Sequence, residues 1–207
     1  MEEAVIENGA AKVAAGTWLM GRAQPAAVLG TVKIAGLKGF IVPDRAAMRV
    51  ATTTAEAWCA AGDKPFLLRL PALPEESETL NVVSDRLLVA PVACRVGARN
   101  LKLVPFSLRR TAAITRFRQG WVVLATRSRV TRVALEDGGT LTVRPEALVA
   151  WVGKDPTGFC PKLSVLDVLL PRGPRDLVYT FHGPAVVWFE GAREQLLTRR
   201  MPHGVCA

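Results

Sequence analysis

The side chains of this chain best placed to do chemistry are cationic, and the chemistry they offer is recognition of anions. Between Asp85 and Glu136 there is no acidic residue. The same stretch carries Arg86, Arg95, Arg99, Lys102, Arg109, Arg110, Arg116, Arg118, Arg127, Arg129 and Arg132. The whole chain has 27 Lys+Arg and 18 Asp+Glu, and outside this window 16 basic residues face 18 acidic ones, so the entire excess of +9 is local. A field of that sign attracts phosphate, acidic protein or anionic lipid, and it specifies no fold. Arginine adds geometry to charge, because its planar fork can grip a carboxylate or phosphate at two atoms. Arg95, Arg99, Lys102, Arg109, Arg110, Arg116, Arg118, Arg127 and Arg129 are therefore the candidate polyanion-binding residues. Arg109-Arg110 and Arg116-x-Arg118 flank Ile114, with Phe106 and Phe117 interleaved, and Arg127 and Arg129 are expected to share one strand face. RNA in a large ribonucleoprotein and an acidic protein are equally apt partners.

No other constellation competes with the basic window. A cupin-like metal site needs several His and carboxylates converging on one pocket. The chain has 2 His, His182 before Gly183-Pro184 and His203 in the tail, so no metal and no cofactor are expected. Cys59, Cys94, Cys160 and Cys206 are separated by 35, 66 and 46 residues. With no C-x-x-C pair, they read as buried thiols in a reducing compartment. Cys160 lies between Phe159 and Pro161 without an evident base, which a nucleophile would require. Asp137-Gly138-Gly139 and Gly36-x-x-Gly39 match no phosphate-cradling pattern and read as turns. Trp121, Trp151 and Trp188 lie in apolar runs and read as core, not as a platform for stacked bases. The expectation is a protein that is not an enzyme.

The elements that must carry these side chains are short strands. A length of 207 residues with about half apolar and 22% charged suits a folded domain with a sizeable core. No run of 18 apolar residues occurs, so no transmembrane helix is expected. The acidic Met1-Glu2-Glu3 start resembles neither a secretory signal nor an ordinary mitochondrial presequence. Residues 1–36, rich in Ala and Gly, read as an extension with a short helix around Ala10–Leu19. Beyond them, Gly and Pro punctuate short Val-, Leu- and Thr-rich runs, which is an all-β signature. Residues 37–192 read as one antiparallel β-sandwich domain and 193–207 as a tail. Over 44–62, spacing suits a helix, but Thr52-Thr53-Thr54 disfavours one, and strand is preferred. The clearest hairpin joins Val130–Leu135 to Thr140–Val143 through Glu136-Asp137-Gly138-Gly139. Ala147–Val152 and Val186–Phe189 read as strands covered on both faces, and Leu163–Leu170 suits either strand or helix. Thr79-Leu80-Asn81-Val82 with Asp85-Arg86-Leu87-Leu88 is echoed 61 residues later by Thr140-Leu141-Thr142-Val143 with Glu146-Ala147-Leu148-Val149. Both read as strand, acidic turn, apolar strand, which suggests internal duplication.

Three segments resemble a known family. Thr140–Trp151 resembles its strand, acidic turn and apolar strand signature. Tyr179–Trp188 resembles its late phenylalanine, glycine, proline and apolar strand element. Ile41–Val50 is similar to its early strand, with Ala46 where the family usually has glycine. The family is the one named for altered inheritance of mitochondria, protein twenty-four, also called a mitochondrial biogenesis family, and the likeness covers roughly residues 37–191. The resemblance implies a β-sandwich akin to a double-stranded β-helix, similar to the tryptophan attenuation RNA-binding protein and distantly to cupins. It implies members in bacteria and in mitochondria, linked there to inner-membrane organisation, and it supplies no enzyme activity. On this basis the chain is expected to be a non-catalytic assembly or scaffold subunit of a large mitochondrial complex or ribonucleoprotein. It would contact other protein subunits, and RNA as a further candidate, through residues 86–132. The alternatives are a bacterial cytoplasmic β-sandwich binding RNA or anionic membrane and, more remotely, a cupin-like enzyme. A homo-oligomer is compatible with either.

Overall fold

A computed structural model describes residues 5–21, 27–29, 32–36, 49–60, 66–71, 78–102, 111–159 and 178–191. Among them the secondary structure is strand throughout, apart from one 3-10 turn at Val92–Cys94. A lead strand, β1 (Val5–Glu7), precedes three groups of six. The first is β2 (Ala10–Val13), β3 (Gly16–Met20), β4 (Ala27–Leu29), β5 (Val32–Gly36), β6 (Arg49–Thr53) and β7 (Ala57–Ala60). The second is β8 (Phe66–Pro71), β9 (Leu80–Val83), β10 (Leu87–Pro91), β11 (Arg95–Lys102), β12 (Thr111–Phe117) and β13 (Trp121–Thr126). The third is β14 (Val130–Leu135), β15 (Thr140–Val143), β16 (Leu148–Gly153), β17 (Thr157–Phe159), β18 (Val178–His182) and β19 (Ala185–Glu190).

Each group is wired in the same way. Its first strand pairs antiparallel with its sixth, as β2 with β7, β8 with β13 and β14 with β19. Its second pairs with its fifth, as β3 with β6, β9 with β12 and β15 with β18. Its third pairs with its sixth, as β4 with β7, β10 with β13 and β16 with β19. Its fourth pairs with its fifth, as β5 with β6, β11 with β12 and β17 with β18. Neighbouring groups join through the second strand of one and the third of the next, β3 with β10 and β9 with β16. The molecule is thus an all-β, antiparallel protein built from three copies of one six-strand motif. The internal echo in the sequence fell on equivalent places, the second and third strands of the second and third copies. Even the irregularities recur, since the ladder shifts at Leu87/Val89 in β10 and at Leu148/Ala150 in β16. Such bulges bend a strand, here where it must serve two layers.

The strands fall into four sheets: A (β1-β2-β7-β4), B (β5-β6-β3-β10-β13-β8), C (β11-β12-β9-β16-β19-β14) and D (β15-β18-β17). Side chains from B and C, including Leu19, Leu87, Val122 and Leu124 against Leu80, Val82, Phe117 and Val152, form one core. On the other face of B, Trp121, Val123 and Ala125 meet Ala11, Val13 and Cys59 of sheet A. On the other face of C, Ile114, Trp151 and Val187 meet Val143, Tyr179 and Phe181 of sheet D. Both faces of B and C are therefore covered, which is why β10, β13 and residues 148–152 are buried without alternation. Each such Val or Leu contributes about 1.5–3 kcal/mol through the apolar area it removes from water.

Three expectations are corrected. Residues 1–36 are not an extension and Ala10–Leu19 is not a helix, since β1 to β5 lie there and β3 is hydrogen-bonded between β6 and β10. Trp18 packs on Trp121 at 5.4 Å between ring centroids and donates its indole N–H to Ala14 O at 3.0 Å. Low charge with abundant Ala is what a strand squeezed between neighbours requires, so composition alone misled. Arg49–Thr53 and Ala57–Ala60 are strands, as preferred over helix. The expected hairpin of Val130–Leu135 with Thr140–Val143 does not form. Its turn does, with Gly139 N–H donating to Glu136 O at 2.9 Å and Gly138 at φ 79°. The arms then diverge into sheets C and D, where they pair with β19 and β18. Glycine is required at the facing corner too, because a Cβ on Gly183 would stand 1.8 Å from Glu136 O. The family-like strand at 41–48, Leu163–Leu170 and the tail lie outside the described residues.

Candidate anion-binding cleft

The basic window is divided by the fold. Arg86, at the β9–β10 corner, is buried and pairs with Glu190 at 2.9 Å, and it also donates to Glu146 O. It ties the second repeat to the third and is structural. Arg132 lies over the Trp188 ring, 6.0 Å from its centroid. Arg127 and Arg129 do not share a strand face. They lie in the bend between β13 and β14, exposed, where Arg127 N–H donates to Glu190 Oε1 at 2.8 Å and Arg129 O accepts from Gly191 N–H at 3.1 Å. Arg118 lies beyond the other end of β13, exposed, with Nε donating to Thr79 Oγ1 at 3.3 Å. Arg95 is half-buried at the start of β11, and burial presses its pKa below the usual arginine value. Lys102 ends β11, while Arg109 and Arg110 lie outside the described residues.

The candidates that do converge are Arg99 and Arg116. Gly97 of β11 stands opposite Arg116 of β12, so Arg99, two residues on, is its diagonal neighbour on the same face. Asn81 of β9 stands opposite Arg116 on the other side. These residues line a cleft of about 520 Å³ together with Glu78, Thr79, Gly153, Lys154, Asp155 and Pro184. Asn81 is buried in the otherwise apolar β9. Its amide donates to Thr79 O at 3.2 Å and to Trp151 O at 3.4 Å, and its Oδ1 accepts from Arg99 Nη2 at 3.1 Å. Arg99 also forms an ion pair with Asp155. Arg116, half-buried, has neither ion pair nor hydrogen bond among the described residues, and its Nε is shielded without an acceptor. Sequence reasoning missed Asn81, Lys154 and Asp155. The signal for Asn81 was available, a lone amide at an inward position of a Leu-x-Val-Val strand. Lys154 and Asp155 looked like ordinary polar residues after an apolar run.

The remaining chemical groups sit apart from this cleft. His182 is exposed at the end of β18, opposite Thr140. Among the described residues no three His, Cys, Asp or Glu side chains cluster as a metal site would. Cys59 and Cys94 are buried free thiols, and burial pushes the Cys59 thiol up to about 11. Cys160, Cys206 and His203 lie outside the described residues. Trp121 and Trp151 are core residues and Trp188 packs partly buried against the B–C core. No described helix is long and apolar enough to cross a membrane.

No protein-family profile matches the sequence, and no curated protein matches it. Among solved structures, the chain is similar to the X-ray structure of protein SPYM3_0169 from Streptococcus pyogenes. The TM-score is 0.66 at 12% identity, over 95% of this chain and 96% of that one. The class of protein that emerges is a β-sandwich-like, all-antiparallel fold shared with the streptococcal protein along nearly the whole of both chains. At this identity the likeness concerns the fold alone.

Proposed function

We propose that this chain is a non-catalytic assembly protein that joins a larger complex through the arginines on the D-facing side of sheet C. The observation that carries the reading is Arg116. Its guanidinium, half-withdrawn from water and without an ion pair or side-chain hydrogen bond among the described residues, has lost hydration without receiving a partner there in exchange. A group from outside the chain can supply that partner. The resemblance of Thr140–Trp151 and Tyr179–Trp188 to the mitochondrial biogenesis family supports a subunit of a mitochondrial complex. A bacterial cytoplasmic setting is the alternative that the same family allows.

The test is purification of the tagged chain from its source cells, with bound macromolecules identified before and after nuclease. The expected result is a defined set of proteins that survives nuclease. Elution of the chain alone would contradict the reading, and partners that vanish with nuclease would replace it with an RNA-bridged one. Metal analysis of the same sample adds a check, since a stoichiometric transition metal at His182 would revive the cupin-like enzyme.

A further inference from the structure

We infer that the cleft between Arg99, Arg116 and Lys154 is a receptor for a single carboxylate on an acidic protein segment, and not a track for nucleic acid. This rests on the assembly reading above and names the chemistry of the partner.

Three observations select a carboxylate. First, the protein already places one there, because Asp155 sits against Arg99 in the same cleft. Arg116, the diagonal neighbour on the same face, offers the same fork and has no ion pair among the described residues. With its Nε shielded, Arg116 would receive a carboxylate end-on, through its two Nη groups. Second, the cleft holds Arg99, Arg116 and Lys154 against Glu78 and Asp155, which leaves one positive charge. That balance suits a monoanion. A phosphate dianion would face two carboxylates and gain less. Third, a nucleic-acid strand needs cations spread along its backbone. The fold separates Arg116 and Arg118 from Arg127 and Arg129 by the whole of β13, six residues or roughly 20 Å. It also engages Arg86 with Glu190 and sets Arg132 against Trp188. Within the cleft itself, the described arginines are Arg99 and Arg116 alone, a point of attachment.

Asp155 would act as the internal competitor. Its pair with Arg99 is about one-third exposed on both sides, at 36% and 38%, so it holds weakly and can yield to an incoming acid. Asn81, bonded to Thr79 O and Trp151 O, fixes the floor against which the arginines are arrayed. The backbone carbonyls in those bonds belong to β16 and to the residue just before β9, so the floor does not depend on the ligand.

The test uses the full chain and a fluorescent, N-acetylated and C-amidated peptide, Gly-Gly-Glu-Gly-Gly. Its Gln counterpart, inorganic phosphate and a twelve-residue oligouridylate are the comparison ligands. The expected result is binding of the Glu peptide over the Gln peptide, weakened by about tenfold or more in Arg116→Gln, because the charge-assisted bidentate contact is removed. Arg116→Lys should retain part of the affinity, since an ammonium keeps charge without the fork. Asp155→Asn should strengthen binding several-fold by removing the competitor. If Arg116→Gln does not fold, Arg116→Lys and Asp155→Asn carry the test. Equal binding of the Gln peptide, weakening in Asp155→Asn, or tighter oligouridylate binding that is lost in Arg116→Gln would each overturn the inference. Peptide binding that fails while nuclease-resistant partners still co-purify would sink the cleft and leave the assembly reading standing. Peptide binding with no co-purifying protein would uphold the cleft and sink the assembly role.

Discussion

Arg86 and Arg116 lie 30 residues apart in one acid-free stretch, and in the sequence they are equivalent charges. The fold gives them opposite fates. Arg86 is buried at a corner with Glu190 at 2.9 Å and the Glu146 carbonyl within reach, so its charge is spent on holding two repeats together. Arg116 stands half-buried in a cleft, beside an arginine that pairs with an acid, and has no such pair itself among the described residues. The difference shows that a run of like charge is not a surface. Where the strands place each residue decides whether a cation fastens the protein internally or waits for a partner.

The largest effect should come from Arg86. Arg86→Met leaves the Glu190 carboxylate, only 12% exposed, without its cation and with only the Arg127 N–H as described partner, and should cost about 3–5 kcal/mol in urea unfolding. The double change Arg86→Met with Glu190→Met should recover most of that loss. A single change costing under about 1 kcal/mol would erase the contrast between the two arginines. The next effect belongs to the cleft floor. Gly153 has φ +107°, and a Cβ there would stand 2.8 Å from Pro184 O, so Gly153→Ala should destabilise by about 1–3 kcal/mol. It should also weaken acidic-peptide binding, whereas Arg86→Met, wherever it remains folded, should not.

A buried neutral group gives a third comparison. Burial raises the Cys59 thiol from its ordinary 9.0 to about 11, so the folded chain holds this proton more tightly than the unfolded one. The associated stability is complete below pH 9 and is lost as pH rises through 11, by roughly 2 kcal/mol. The stability difference between the native chain and Cys59→Ala should shrink over that window and stay flat below it. A difference that stays constant to pH 11 would mean that the A–B core admits solvent. The smallest effect should be at Arg116 itself. Arg116→Gln should change stability by no more than about 0.5 kcal/mol while removing peptide binding. Loss of folding in this variant would move Arg116 into the structural group with Arg86.

Much of the fold was legible because turn residues and apolar runs act locally. The strands over 80–91 and 140–153 and the echo between them were readable from Leu, Val and acidic-turn positions. Two things resisted. The Asp137-Gly138-Gly139 turn is encoded locally, but whether its arms pair depends on β18 and β19, which lie some forty residues further along. The strands within 1–36 were hidden because β2 and β3 receive their apolar neighbours from β7 and β10, so Ala and Thr suffice there. For the cleft, Arg99 and Arg116 were legible as cations, and their convergence was not, because register across β11, β12 and β9 sets it. Asp155 comes 56 positions after the arginine it pairs with, a distance no local pattern reports.

Burial and pairing, not position in the basic run, assign each arginine its role. Two double-mutant cycles test this directly, one on Arg86 with Glu190 and one on Arg99 with Asp155, both read by urea unfolding. The predicted coupling is about 2 kcal/mol or more for the buried pair and under about 1 kcal/mol for the exposed one. Equal couplings, or the larger one at Arg99 with Asp155, would contradict the account and make the cleft a structural brace.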